Sequence, residues 1–203
     1  MKGVIVAAAL ALSTSIFAAA TRAGEAPSAA SAPDRSVVSE IQQVCEAANA
    51  EPEAVLANAK SHGWSPATAQ TNYLERNGAR VVGEKPYDAD NSLALLTSKI
   101  RFSISTYPSG ARAVDSYVCT IVIRPGHNVD VGAQIALWLG FKPISDGPTF
   151  MYTERGAIKR PFGGDDKRNV VKDGDVGALR LITMRVDKEQ IVVSYAAPIS
   201  KQQ

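Results

Sequence analysis

Two cysteines and two histidines are the residues of this 203-residue chain whose chemistry could be most specific. Cys45, His62, Cys119 and His127 can be written as a Cys2His2 zinc set, but their intervals of 17, 57 and 8 residues match no finger-like spacing. No Cys-x-x-Cys redox pair is present. His127 lies in Pro125-Gly126-His127-Asn128, between a strand pattern and a helix pattern. It is the one candidate base for a hydrolase-like site built with loop carboxylates, and otherwise an exposed turn histidine. His62 falls in the last turn of a helical pattern, where an imidazolium interacts favourably with the helix dipole.

Asp165, Asp166, Asp173 and Asp175 crowd one polar loop, the kind of oxygen-rich segment that can hold calcium. Counting from Asp173 puts Gly177 fifth, Ala178 sixth and Met184 twelfth, so the EF-hand pattern fails. Lys167, Arg168 and Lys172 interleave with the acids, which describes a solvated charged loop. Arg155, Lys159 and Arg160, just before Phe162-Gly163-Gly164, form the one basic cluster of note. Its functional reading is an acidic partner or a phosphate; its alternative is simple solvation. The familiar local signatures of hydrolases, kinases, P-loops and dinucleotide folds are absent. No catalytic residue, metal or cofactor is assigned, and His127, Arg155, Lys159 and Arg160 stand as the speculative binding residues.

These side chains must be positioned by a small set of elements. Residues 36–50 place Val37, Ile41, Val44, Cys45 and Ala48 at steps of three and four, with Ser36 as N-cap. A second helix begins with Pro52 in its first turn, runs through Val55, Leu56 and Ala59 and stops at Gly63, so the two form a helical hairpin. Residues 64–91 contain Pro66, Asn77-Gly78, Gly83 and Pro86 and are expected to be mostly irregular, with one short helix near Tyr73 and Leu74. Two strands, Leu93 to Thr97 and Ile100 to Thr106, then turn through Tyr107-Pro108-Ser109-Gly110 into a long strand from Val114 to Arg124. On that strand Tyr117, Cys119, Ile121 and Ile123 share a face. A central helix is capped by Asn128 or Asp130, carries Val131, Ile135, Trp138 and Leu139, and ends at Gly140. Thr149 to Glu154 returns across Arg155-Gly156 through Ala157 and Ile158, and Leu179 to Asp187 pairs through Lys188-Glu189 with Gln190 to Pro198. The class is α+β: a helical hairpin and a central helix packed on a mainly antiparallel sheet, with one disulfide.

The chain starts with Met1-Lys2, an apolar run from Gly3 and small residues that suit a signal peptidase. Residues 1–23 are read as a signal peptide, with cleavage after Ala23 or after Ala20. Residues 24–35 form a small, proline-punctuated flexible leader, residues 36–198 one domain, and residues 199–203 a tail. Nothing after the signal is long and apolar enough to cross a membrane. The formal charge is +2, from 22 basic against 20 acidic residues; losing Lys2 and Arg22 leaves 20 against 20. That balance, with aromatics at 6%, argues against a nucleic-acid partner. In an oxidising compartment the even cysteine count implies a disulfide from Cys45 to Cys119, fastening the first helix to the long strand.

The landmarks Cys45, Gly63-Trp64, Cys119 and Trp138-Leu139-Gly140 with Pro143 resemble a loose group of small secreted or periplasmic alphaproteobacterial proteins of unassigned function. The resemblance implies a periplasmic or secreted single domain with one disulfide and carries no activity. The favoured reading is a non-enzymatic exported domain that binds a protein or small ligand. Its rivals are the hydrolase built on His127 and an envelope structural or assembly component.

Overall fold

The computed structural model describes residues 36–67, 78–106, 110–125, 130–144, 148–163, 176–187 and 189–199. The proposed signal peptide and leader, Tyr73 and Leu74, His127 and the four aspartates of the polar loop therefore lie outside the described residues.

Ser36 caps the first helix, its hydroxyl accepting from the Val38 amide (3.2 Å). Helix α1 (Val37–Glu40) runs on into a π-helical segment, Ile41–Glu46. Val37, Ile41, Val44 and Cys45 are all buried along it, as the steps of three and four require. Helix α2 (Pro52–Ser61) opens with the Glu51 carboxylate accepting from the Ala54 amide (2.8 Å) and buries Val55 and Ala59. Helix α3 (Val131–Leu139) is capped by Asp130, which accepts from the Ala133 amide (3.0 Å), and its C-cap is Gly140.

Seven strands form one antiparallel sheet: β1 (Arg80–Pro86), β2 (Ser92–Thr106), β3 (Gly110–Arg124), β4 (Thr149–Arg155), β5 (Ile158–Pro161), β6 (Leu179–Asp187) and β7 (Gln190–Pro198). Their order is β1-β2-β3-β7-β6-β4-β5, so β1 and β5 are the edges. All three helical segments contribute to the main core together with Leu93, Leu95, Cys119, Ile121, Val193 and Tyr195. By register these strand residues share one face, with Leu95 opposite Ile121 and Cys119 opposite both Thr97 and Tyr195. The other face carries a smaller cluster of Ile104, Val114 and Leu179, flanked by Phe102, Met151, Phe162 and Val176.

The α+β class and the antiparallel sheet are as the sequence indicates, but two stretches differ. The two short strands expected at 93–106 are one continuous strand. Ser98 and Lys99 do not break it, because Lys99 lies opposite Tyr117 and sets its ammonium 5.1 Å from that ring. Residues 80–86, expected to be irregular, form β1, and Ser65 bridges to Glu84. The glycine and proline that suggest a loop there fit an edge strand instead. Gly83 sits beside a register shift, and a Cβ on it would come 3.3 Å from the Ser65 carbonyl and 3.5 Å from the Trp64 side chain. Bare backbone at this point lets Trp64 bury itself against the edge.

Cys45 and Cys119 are joined in a disulfide with their Cα atoms 5.5 Å apart. It ties the π-helical segment to the centre of β3, as the cysteine parity implies. Trp64, the landmark that closes α2, donates from Nε1 to the buried Glu40 carboxylate (3.0 Å), which also pairs with Lys85 of β1.

Candidate functional site

The basic cluster Arg155, Lys159 and Arg160 lies on the β4–β5 hairpin, and the hairpin's register decides what each residue can reach. Gly156 at φ 60° begins a two-residue turn, a conformation that favours glycine. Arg155 therefore stands opposite Ile158, Glu154 opposite Lys159 and Thr153 opposite Arg160. Since side chains alternate, Glu154 and Lys159 fall on the helix-covered face, while Thr153, Arg155, Ile158 and Arg160 fall on the other. The three cations of the cluster do not form one patch.

Lys159 enters an ion network beneath the first helix. Its ammonium is 2.7 Å from Glu46 of the π-helical segment and 3.1 Å from Glu154, and 5.2 Å from the Trp138 ring centre. Arg180 of β6 completes the set, with Nε 3.2 Å from Glu154 and a terminal nitrogen donating to the Asn49 side chain (3.0 Å). Two acids and two bases thus neutralise each other across a helix and three strands. The contacts are close without being well aligned: Glu46 Oε1 and Arg180 Nε, and the buried hydroxyls of Tyr152 and Tyr195, have no aligned hydrogen-bond partner.

Burial pushes the Glu46 carboxyl above its ordinary range, and the neighbouring Glu154 adds to the rise while Lys159 opposes it. Burial likewise raises both tyrosine phenols, so they stay neutral in the physiological range. For Lys159, burial acts to lower the ammonium, but hydrogen bonding and attraction from the two carboxylates outweigh it and the net direction is up. A charge-balanced network with neutral phenols at its centre holds elements together. The sequence offers little warning of it, since Glu46 lies more than a hundred residues from Glu154 and Lys159, and Arg180 lies on a later strand.

On the open face, Thr153, Arg155, Ile158 and Arg160 line a hollow of about 140 Å³. Thr153 is buried at its base, whereas both arginines and Ile158 are exposed. Two guanidiniums at a diagonal of the hairpin face can present their forked donors to one planar or tetrahedral anion. A wider, shallower hollow of about 740 Å³ lies at the opposite end of the sheet, between Asp90, Asn91, Ser92, Arg124, Pro125 and Glu189. Its wall is shaped by Asp88, whose carboxylate accepts from the Asn91 side chain (2.9 and 3.0 Å) and from the Asp90 and Asn91 amides (2.8 and 2.7 Å). The Asn91 hydrogen bonds and those amides hold the Asp88 carboxyl below its usual range.

His62 is the C-cap of α2, and its Nδ1 lies 2.8 Å from the Asn58 carbonyl oxygen and 3.0 Å from the Ser61 hydroxyl. That is the helix-end role its position suggests. Among the described residues no group of three or more His, Cys, Asp or Glu is arranged to hold a metal ion. Comparison with known protein families, with curated proteins and with solved structures finds no match for this chain.

Proposed function

We propose that the chain is exported by way of residues 1–23 and works outside the cytoplasm as a disulfide-stapled, non-enzymatic domain that binds a protein or small ligand. The binding surface is the open face of the β4–β5 hairpin. One observation carries this reading: Arg155, Arg160, Thr153 and the exposed Ile158 converge on one hollow, on the face opposite the helices. An exposed apolar residue beside paired cations has the composition of a recognition site, in which a polar group fixes orientation and apolar contact adds affinity. The first two helices, read as a hairpin, serve as the rigid backing. Cys45 bonded to Cys119 and Glu46 paired with Lys159 pin that backing to the sheet on which the hollow is built.

The test is retention of material from the native cell envelope by the immobilised mature chain and by its Ile158→Glu variant. A specific molecule held by the unaltered chain and lost on Ile158→Glu supports the reading. Identical retention by both proteins rejects this face as the binding surface.

A further inference from the structure

Strands β2 and β3 run on together past both of their neighbours. β1 pairs with β2 only along Ser92–Thr97, and β7 with β3 only along Ser116–Ile123, yet β2 and β3 stay paired without a register shift as far as Thr106 opposite Gly110. From Ser98 to Thr106 the outer edge of β2 has no strand beside it among the described residues. The backbone donors and acceptors along that side are a template for another strand.

The two end strands of the sheet are guarded against such pairing, and this stretch is not. β5 is short and closes with Pro161, whereas β1 carries Gly83 and Pro86 and is bridged by Ser65 at Glu84. Ser98–Thr106 holds neither glycine nor proline. Its two cations, of the kind that usually guard an edge, are turned across the ribbon toward β3. Lys99 sets its ammonium 5.1 Å from the Tyr117 ring, and Arg101 makes a two-pronged contact with Asp115 at 2.6 and 2.7 Å.

Alternation then decides what fits the edge. Lys99, Arg101, Ser103 and Ser105 share one face and are exposed, while Ile100, Phe102 and Ile104 share the other. A two-fold axis normal to the sheet pairs this edge with itself antiparallel and keeps each face continuous. Centred on Phe102, the pairing sets Phe102 against the partner's Phe102, Ile100 against the partner's Ile104, Lys99 against the partner's Ser105 and Arg101 against the partner's Ser103. Every apolar residue then meets an apolar residue, and no like charges meet. Moving the centre to Arg101 puts the two arginines opposite each other, and moving it to Ser103 sets Ile100 opposite the partner's Thr106. Ile104 is already buried with Val114 and Leu179, whereas Ile100 is 41% exposed. The pairing therefore continues an existing apolar cluster over a side chain that solvent otherwise reaches.

We propose that Ser98–Thr106 of β2 is a self-association edge, at which two copies of this chain join antiparallel, centred on Phe102, into one continuous sheet. It does not depend on the β4–β5 hollow, which lies at the other end of the strand order. A single strand pair is a small interface, so the dimer belongs to the weak, reversible class.

The experiment is sedimentation equilibrium of the disulfide-closed chain from about 10 µM to about 1 mM, the range of weak interfaces, with amide hydrogen exchange at both ends of that range. A monomer–dimer equilibrium is expected, with alternate amides between Ser98 and Thr106 exchanging more slowly in the dimer. Ile100→Lys sets a charge against the partner's Ile104 and should weaken association about tenfold or more. Ser105→Glu, facing the partner's Lys99, should strengthen association roughly fivefold and Ser105→Lys weaken it by a similar factor, because the axis counts each substitution twice. Ile100 and Ser105 are exposed, so all three variants should unfold at the same denaturant concentration as the unaltered chain. A chain that stays monomeric at the highest concentration overturns the proposal, as does a dimer that ignores all three variants or is protected elsewhere than Ser98–Thr106. If the chain stays monomeric and the same amides are protected instead by an added peptide of alternating valine and threonine, the edge takes a different partner and the proposal also falls.

Discussion

Lys159 is held between two carboxylates, and only about a fifth of its side chain reaches solvent. Its loss leaves Glu46 and Glu154 facing each other without their shared cation. Lys159→Ala should therefore destabilise the fold by roughly 2 to 4 kcal/mol, whereas the paired change Glu46→Leu/Lys159→Met should cost much less. Urea unfolding of the three proteins at pH 7 checks this, with the slope held constant as the sign of an unaltered unfolding reaction. The same cluster has a pH signature. Because burial raises the Glu46 carboxyl in the folded chain, the folded state keeps that proton in a range where the unfolded chain has released it. The stability it contributes is complete below the ordinary glutamate value and is lost as pH rises through the raised one. Glu46→Gln removes this dependence, so its stability relative to the unaltered chain should grow with pH across that window. A difference that shrinks instead would mean that attraction to Lys159 outweighs burial.

At the scale of elements, the disulfide closes a span of 74 residues and joins a helix to a strand that meet nowhere else in sequence. In the chain-entropy description such a loop stabilises the fold by about 4 to 5 kcal/mol. The double variant Cys45→Ala/Cys119→Ala should lose about that much in denaturant unfolding, and a change below ~1 kcal/mol would show that the staple constrains little. For α3, Asp130→Ala removes the cap to Ala133 and should cost about 1 kcal/mol. Much of this level is legible from residue types: Ser36, Pro52, Asp130 and Gly140 mark helix ends, and the alternation of Tyr117, Cys119, Ile121 and Ile123 marks the face that meets the helices. Two features are less legible. β1 carries the breakers Gly83 and Pro86, which only its edge position makes acceptable. The hairpin return was expected across Arg155-Gly156, whereas the turn is at Gly156-Ala157 and Arg155 pairs with Ile158. That shift brings Arg155 into the strand but leaves the faces unchanged, because side chains alternate along β5 in either register. Lys159 and Arg160 are neighbours on β5 and so face opposite sides of the sheet, which is why Arg155, Lys159 and Arg160 look like one cluster in sequence and divide into an internal ion pair and an external hollow in the fold.

The whole molecule combines N-terminal residues whose sequence is read as an export signal with a described domain in which both cysteines are bonded and no described helix is long and apolar enough to cross a membrane. On the proposed removal of residues 1–23, the balance of 20 basic against 20 acidic residues leaves no global field to draw polyanions, so the proposed recognition would rest on local geometry at the hairpin. The candidate site was legible in sequence as residue types, since Arg155 and Arg160 stand out, but not as a site, because its base and its apolar wall, Thr153 and Ile158, are ordinary strand residues. Binding outside the cytoplasm depends on one claim, that the working form is exported, cleaved and disulfide-closed. The intact mass of the protein purified from its own cells, taken before and after reduction, tests it most directly. The expected result is a chain that begins after residue 20 or 23 and whose mass rises by two hydrogens on reduction. A chain that retains Met1 and Lys2 and carries two free thiols before any reductant is added would contradict it.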